Sequence, residues 1–160
     1  MSRILAADLL ASGLEEAEDL QDLAEEARDY LLYHTWCRSI KQLWFDRGFS
    51  KFALFFAEIE PDERADHQIW VIVGDVPPLF IGVGEAVTAL DAIEIYGGVL
   101  DWWIEEVEKG TQLDDLPPLR IRNSLKLIEP TGENVELVKS RLRLIDEIVL
   151  PNFFDPAEPC

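Results

Sequence analysis

Three short runs of mostly apolar residues stand in the middle of this chain. They are KFALFFAEIE from Lys51 to Glu60, IWVIVG from Ile69 to Gly74, and LFIGV from Leu79 to Val83. Each has strand length, is rich in β-branched and aromatic residues, and is bounded by turn formers. The first two are apolar at successive positions instead of alternating. That pattern predicts central strands covered on both faces, or one covered face plus a partner surface. The acidic, turn-rich stretch Pro61 to His67 joins them. The second run leaves through Gly74-Asp75-Val76-Pro77-Pro78, where two prolines fix φ and remove donors. An edge or a bend is predicted there, with the Asp75 side chain capping the turn.

Helical spacing surrounds these runs. Ser12-Gly13-Leu14-Glu15 fits a capping box with Ser12 as N-cap, and the helix it opens is expected to extend to about Trp36. Leu20, Leu23, Ala24, Ala27, Tyr30 and Leu31 form its apolar face, while Glu15, Glu16, Glu18, Asp19, Asp22, Glu25, Glu26 and Asp29 form the other. Most of these carboxylates sit in the first half, where the helix dipole favours negative charge. A second helix is predicted from about Thr35 to Phe45, carrying Ile40, Leu43 and Trp44 and closed by Gly48.

Thr88 to Asp91 signals another start, for a helix running to Lys109-Gly110. Ala89, Ala92, Ile93, Tyr96, Val99, Leu100, Trp103 and Val107 supply its buried stripe. Asp91, Glu94, Asp101, Glu105 and Glu108, with Trp102 beside them, supply the opposite one. Gly97-Gly98 in its middle costs roughly 1 kcal/mol per glycine relative to Ala, so the pair marks a close approach or a kink. Leu119 to Arg122 alternates as a short edge strand whose arginines, with Lys126, pair with acidic side chains of the same protein. Thr131 opens a last helix with Val135, Val138, Leu142, Ile145 and Val149 as its stripe. Pro151 stops it, and Phe153 and Phe154 tuck the end back. The fold class is therefore α+β: a small, mainly antiparallel sheet of three to four strands packed with helices before and after it. One domain spans 1–160, with an acidic helix at 12–36, a sheet at 51–84, a helix at 88–109 and a C-terminal helix at 131–149.

Composition narrows the function. The 160 residues are 48% hydrophobic, enough for a core without metals or disulfides, and no run approaches the ~18–20 apolar residues of a membrane span. Asp8 interrupts the short apolar patch near the start, so no secretory signal is read there and a cytoplasmic protein is expected. A reducing compartment favours free thiols at Cys37 and Cys160 over a bridge. Fourteen basic residues face 32 acidic ones, for a net charge of −18. Phosphate neutralisation is beyond such a chain, which argues against nucleic acid, and anionic membranes are disfavoured likewise. A basic protein is the natural partner, because a concentrated negative field speeds its capture. The same charge also serves solubility alone.

Signatures of chemistry are missing. Gly82-Val83-Gly84 lacks the third glycine and the lysine of a phosphate loop. His34 and Cys37 stand three apart, but two ligands do not make a zinc site, and His67 lies in a polar loop. Carboxylates are too abundant for any pair to be assigned as acid and base. No catalytic residue, metal or cofactor is therefore named.

The order YHTWCRSIKQLWFDRGF, KFALFFAEIE, WVIVGDVPPLFI, ALDAIEIYGGVLDWWIEEVEKG and LDDLPPL resembles a family of small acidic bacterial proteins without assigned chemistry. That family is built around a W-x-V-x-G-D-x-P-P core, here Trp70 to Pro78, with Ile72 at the pattern's Val. The likeness covers about Tyr33 to Leu119. By class, such proteins are compared with immunity proteins of bacterial toxin systems. The resemblance thus implies an acidic binding module that neutralises a cognate toxin by covering its basic active site. Contacts are expected from Glu15, Glu18, Asp22, Glu25 and Asp29, and from Asp91, Asp101, Trp102, Glu105 and Glu108; an exposed Trp among carboxylates has the composition of a binding anchor. Two alternatives stay open. One is a small enzyme or ligand-binding protein with a pocket near Asp75, and the other is an adaptor with no toxin partner.

Overall fold

Phe52–Pro61 sends Phe52, Leu54 and Phe56 to one side of a sheet and Ala53, Phe55, Ala57 and Ile59 to the other, and both sets are buried. Gln68–Gly74 divides likewise, with Trp70 and Ile72 opposed to Ile69, Val71 and Val73. Side chains alternate across a strand, so a run that is apolar at every position needs a cover on each face. Helices supply both covers. The structure, a computed structural model, describes residues 3–62, 66–124 and 126–153.

In chain order the strands are β1 (Ile4–Leu5), β2 (Cys37–Phe49), β3 (Phe52–Pro61), β4 (Gln68–Gly74) and β5 (Leu79–Gly82). All neighbours pair antiparallel in the order β1-β2-β3-β4-β5, a meander. The α+β class holds, but the sheet has five strands instead of three to four. α1 (Ala17–Leu32) covers one face together with a 3-10 helix over Ala6–Ala11. α2 (Ala89–Glu108) and α3 (Gly132–Leu144) cover the other.

β2 overturns the helix expected over 35–45. Its spacing of Trp36, Ile40, Leu43 and Trp44 imitates a helix because the strand carries three register shifts, between Cys37 and Ser39, Ile40 and Gln42, and Phe45 and Arg47. Each extra residue breaks the two-residue period and strengthens the local twist. Where the strand is regular, Leu43 and Phe45 point to the α1 side and Trp44 packs on the other.

The first helix also starts and ends elsewhere. Ser12 is not its N-cap: the Ser12 hydroxyl donates to the Leu9 carbonyl at 2.6 Å and closes the preceding 3-10 helix. α1 begins at Ala17 and stops at Leu32, short of Trp36. α2 follows its sequence signal closely, because Thr88 and Asp91 form a reciprocal capping box. The Gly97-Gly98 pair marks no close approach: a Cβ at Gly97 would meet Leu142 at 3.8 Å and Ile145 at 3.9 Å, ordinary contact distances, and one at Gly98 would meet nothing within 4 Å.

Pro151 does not stop the last helix. After α3 the chain widens into a π turn over Ile145–Val149 and then resumes as α4 (Leu150–Phe153). Pro151 is the second residue of α4 and follows directly on the π turn, so the helical path passes through it instead of ending there. Leu119 to Arg122 makes only a single bridge, Arg120 to Leu127, and no edge strand. Phe153 does tuck back, lying under the Arg47 guanidinium at 3.8 Å; Phe154 and Cys160 lie outside the described residues.

Candidate functional site

α1 buries Leu20, Leu23, Ala24, Ala27 and Leu31 against the sheet, which fixes the opposite stripe toward solvent. Glu18, Asp22, Glu25 and Asp29 follow one another at three- and four-residue steps, the spacing of one helix face, Glu15 lies in the turn before α1, and all five are exposed. None pairs with a cation among the described residues. Between Ala17 and Leu32 six carboxylates stand against Arg28 alone. Exposed Leu10 and Leu14 flank one end of the stripe, and exposed Leu32 and Tyr33 the other.

α2 is organised alike on the far side of the sheet. Asp101, Trp102 and Glu105 are exposed, Trp102 at 53%. Asp91 is engaged, because its carboxylate accepts the Thr88 N–H at 3.3 Å, and Glu108 stands 3.7 Å from Lys139. The two acidic stripes face outward from opposite layers. The sequence presents them as one set of contacts; the fold makes them two surfaces.

Asp75 lies in a region held by three elements. Its N–H donates to the Lys51 carbonyl at 2.9 Å, Arg141 Nε donates to its carbonyl at 2.6 Å, and its carboxylate stands 3.4 Å from Arg141 Nη2. The side chain thus faces a cation on α3 instead of capping its own turn. The Tyr96 hydroxyl donates to the Pro77 carbonyl at 2.6 Å. This exit from β4 is a fastening.

Beside that exit, near Asp75 as the ligand-binding alternative expected, lies a cleft of 270 Å³ lined not by Asp75 itself but by Val76, Pro78, Glu26, Asp29, Tyr30, Tyr33 and the turn Arg122 to Ser124. Arg122 Nε donates to Glu26 Oε1 at 2.8 Å, so the expected pairing of the basic patch with acidic side chains of the same protein is shown at Arg122. Asn123 turns that segment at φ 58°, a conformation Asn tolerates better than most residues. Tyr30 and Tyr33 at helical spacing were the available signal.

Next to the cleft, Tyr30, His34, Trp36 and Phe80 form an aromatic cluster with ring separations of 4.6–6.3 Å. His34 Nδ1 donates to the Tyr30 carbonyl at 2.9 Å, and desolvation lowers its pKa despite that bond. Burial pushes the Tyr30 phenol up, opposed in part by Arg120 and a Phe80 backbone contact. Cys37 opens β2 and does not share a helix with His34; burial raises its thiol pKa, which disfavours the reactive thiolate. Among the described residues no group of three or more His, Cys, Asp and Glu side chains is arranged to hold a metal ion, and no helix is long and apolar enough to cross a membrane.

No protein-family model matches the chain, and no curated protein or solved structure matches it either.

Proposed function

We propose that this protein binds a basic protein, and that it acts as an immunity-type inhibitor covering the basic active site of a cognate toxin. One observation carries the reading: Glu18, Asp22, Glu25 and Asp29 line one exposed face of α1, with exposed Glu15 in the turn before it, and none has an ion-pair partner among the described residues. Carboxylates left unneutralised cost a protein self-repulsion, and a complementary partner relieves it. The apolar side chains at both ends of the stripe supply what charge alone does not, a desolvated contact at the rim of the field. A toxin that handles nucleic acid must attract phosphate, so its cleft suits such a face. The family likeness around Trp70 to Pro78 agrees with this reading by class alone.

The test is capture from a lysate of the source cell at low and high salt, followed by association kinetics with the protein retained. Glu18→Lys with Asp22→Lys lowers the association rate by on the order of tenfold at low salt, with the difference shrinking as salt rises. Unchanged kinetics in that variant would sink the electrostatic mechanism.

A second reading follows from Trp102. An exposed Trp between Asp101 and Glu105, on the layer opposite α1, suits an adaptor that joins two partners. In that case Trp102→Ala removes one partner and leaves capture through α1 intact.

A further inference from the structure

The cleft between α1 and the Arg122 turn has four kinds of wall, one of them the turn Arg122 to Ser124 itself, whose guanidinium is held on Glu26. Tyr30 and Tyr33 are aromatic, Val76 and Pro78 are apolar, and Glu26 and Asp29 are carboxylates one helical turn apart. Glu26 is the unusual member. Its side chain is only 12% exposed, Arg122 satisfies one carboxylate oxygen, and the other, Oε2, is buried without a donor among the protein atoms described. A buried acceptor without a donor is unfavourable, and an ionised one more so.

We infer that this cleft is an anchor pocket for a cationic side chain, an arginine or lysine presented by the partner protein. A guanidinium or ammonium on an apolar stem matches the aromatic, apolar and carboxylate walls. The cation meets Glu26 and Asp29, the stem lies on Val76 and Pro78, and the tyrosine faces attract positive charge. Arg122 already demonstrates the chemistry in cis, since a guanidinium of this chain sits on the same carboxylate at 2.8 Å. The pocket also continues the α1 stripe: Asp22, Glu25 and Asp29 lead along the helix to Tyr33, so a basic surface drawn to the stripe delivers its side chains here. The inference rests on the reading of α1 as the docking face, and it adds where one residue of the partner is held.

The experiment titrates the full chain, followed by amide and aromatic NMR shifts, with n-butylguanidinium, with its neutral isostere n-butylurea, and with the peptide acetyl-Ala-Arg-Ala-amide. The guanidinium shifts resonances of Tyr30, Tyr33, Asn123 and Ser124, and the urea binds at least about tenfold more weakly, as loss of a charge-assisted bond requires. Glu26→Gln weakens the cation by a similar factor. Tyr33→Ala, at a residue 60% exposed and therefore safe for the fold, weakens it severalfold. Equal binding of the urea, an unaffected Glu26→Gln, or shifts confined to other surfaces overturns the pocket. Free cation binding more tightly than the peptide overturns a side chain as its occupant and assigns a small metabolite instead. Glu18→Lys with Asp22→Lys lies outside the cleft, so this variant keeps cation binding. If it also keeps capture of the partner, the docking reading fails while the pocket stands.

Discussion

Tyr96, in the middle of α2, donates its hydroxyl to the Pro77 carbonyl at 2.6 Å, and both residues are buried. The contact ties the helix on one layer to the exit of the central strand β4. Pro77 is followed by Pro78, which has no N–H, so the local backbone has little with which to satisfy that carbonyl. Tyr96→Phe leaves the acceptor buried and unpaired, at a cost of about 1–3 kcal/mol. Urea denaturation is expected to show a lower midpoint with an unchanged slope, since the packing area stays the same.

Trp102 and Trp103 are adjacent in sequence and opposite in environment. Trp103 is fully buried in the α2 side of the core, whereas Trp102 is 53% exposed. Trp103→Ala empties a large volume and costs about 3–5 kcal/mol. Trp102→Ala changes stability by no more than about 0.5 kcal/mol, as surface substitutions do. Thermal unfolding of the two variants checks the pair, and the exposed indole also offers a fluorescence signal for any partner that covers it.

Two glycines give opposite signs in the same assay. Gly74 ends β4 at φ +133°, and a Cβ there would overlap the Lys51 carbonyl. Gly74→Ala therefore combines backbone strain with a clash against a hairpin carbonyl that does not yield easily, and about 2 kcal/mol or more is lost. Gly98 lies inside α2, and a methyl group added there would meet nothing within 4 Å. Gly98→Ala gains about 0.8–1 kcal/mol by helix propensity. A stability loss at Gly98 would show that some element covers this face of α2.

Much of this architecture is legible because single residues carry strong local rules. Thr88 with Asp91 forms the box the sequence announces, and the unbroken apolar runs of β3 and β4 announce two covered faces. β2 escaped because its irregular pairing hides the two-residue period, and Ser12 because the same hydroxyl serves either end of a helix. Of the candidate site, the acidic stripes are visible as spacings, yet their placement on opposite layers depends on which sheet face each helix covers. The Arg122–Glu26 pair joins residues 96 positions apart, and no periodicity encodes such a contact. A pocket near Asp75 was an open alternative, but the walls that α1 and the Arg122 turn give it were out of reach.

Alkaline titration separates burial from charge. Tyr30 and Tyr96 both have phenol pKa values raised, chiefly by desolvation. A phenol with a raised folded pKa stays protonated in the folded state while the unfolded chain has already released its proton. The stability this provides is complete below the unfolded value of about 10 and declines as pH rises above it. Each such tyrosine removes about 1.4 kcal/mol per pH unit in that window. The chain has three tyrosines, so absorbance of tyrosinate near the ultraviolet edge resolves them readily. Tyr30 and Tyr96 are expected to ionise only together with unfolding, in one cooperative step monitored in parallel by circular dichroism. Lysine neutralisation also changes stability in this range for a chain of net charge −18, so the contribution is read as a difference from Tyr30→Phe and Tyr96→Phe measured alongside. Each variant should flatten the decline above pH 10 by about 1.4 kcal/mol per unit. Three tyrosinates appearing before any loss of ellipticity would mean that neither phenol is held away from water as the fold requires.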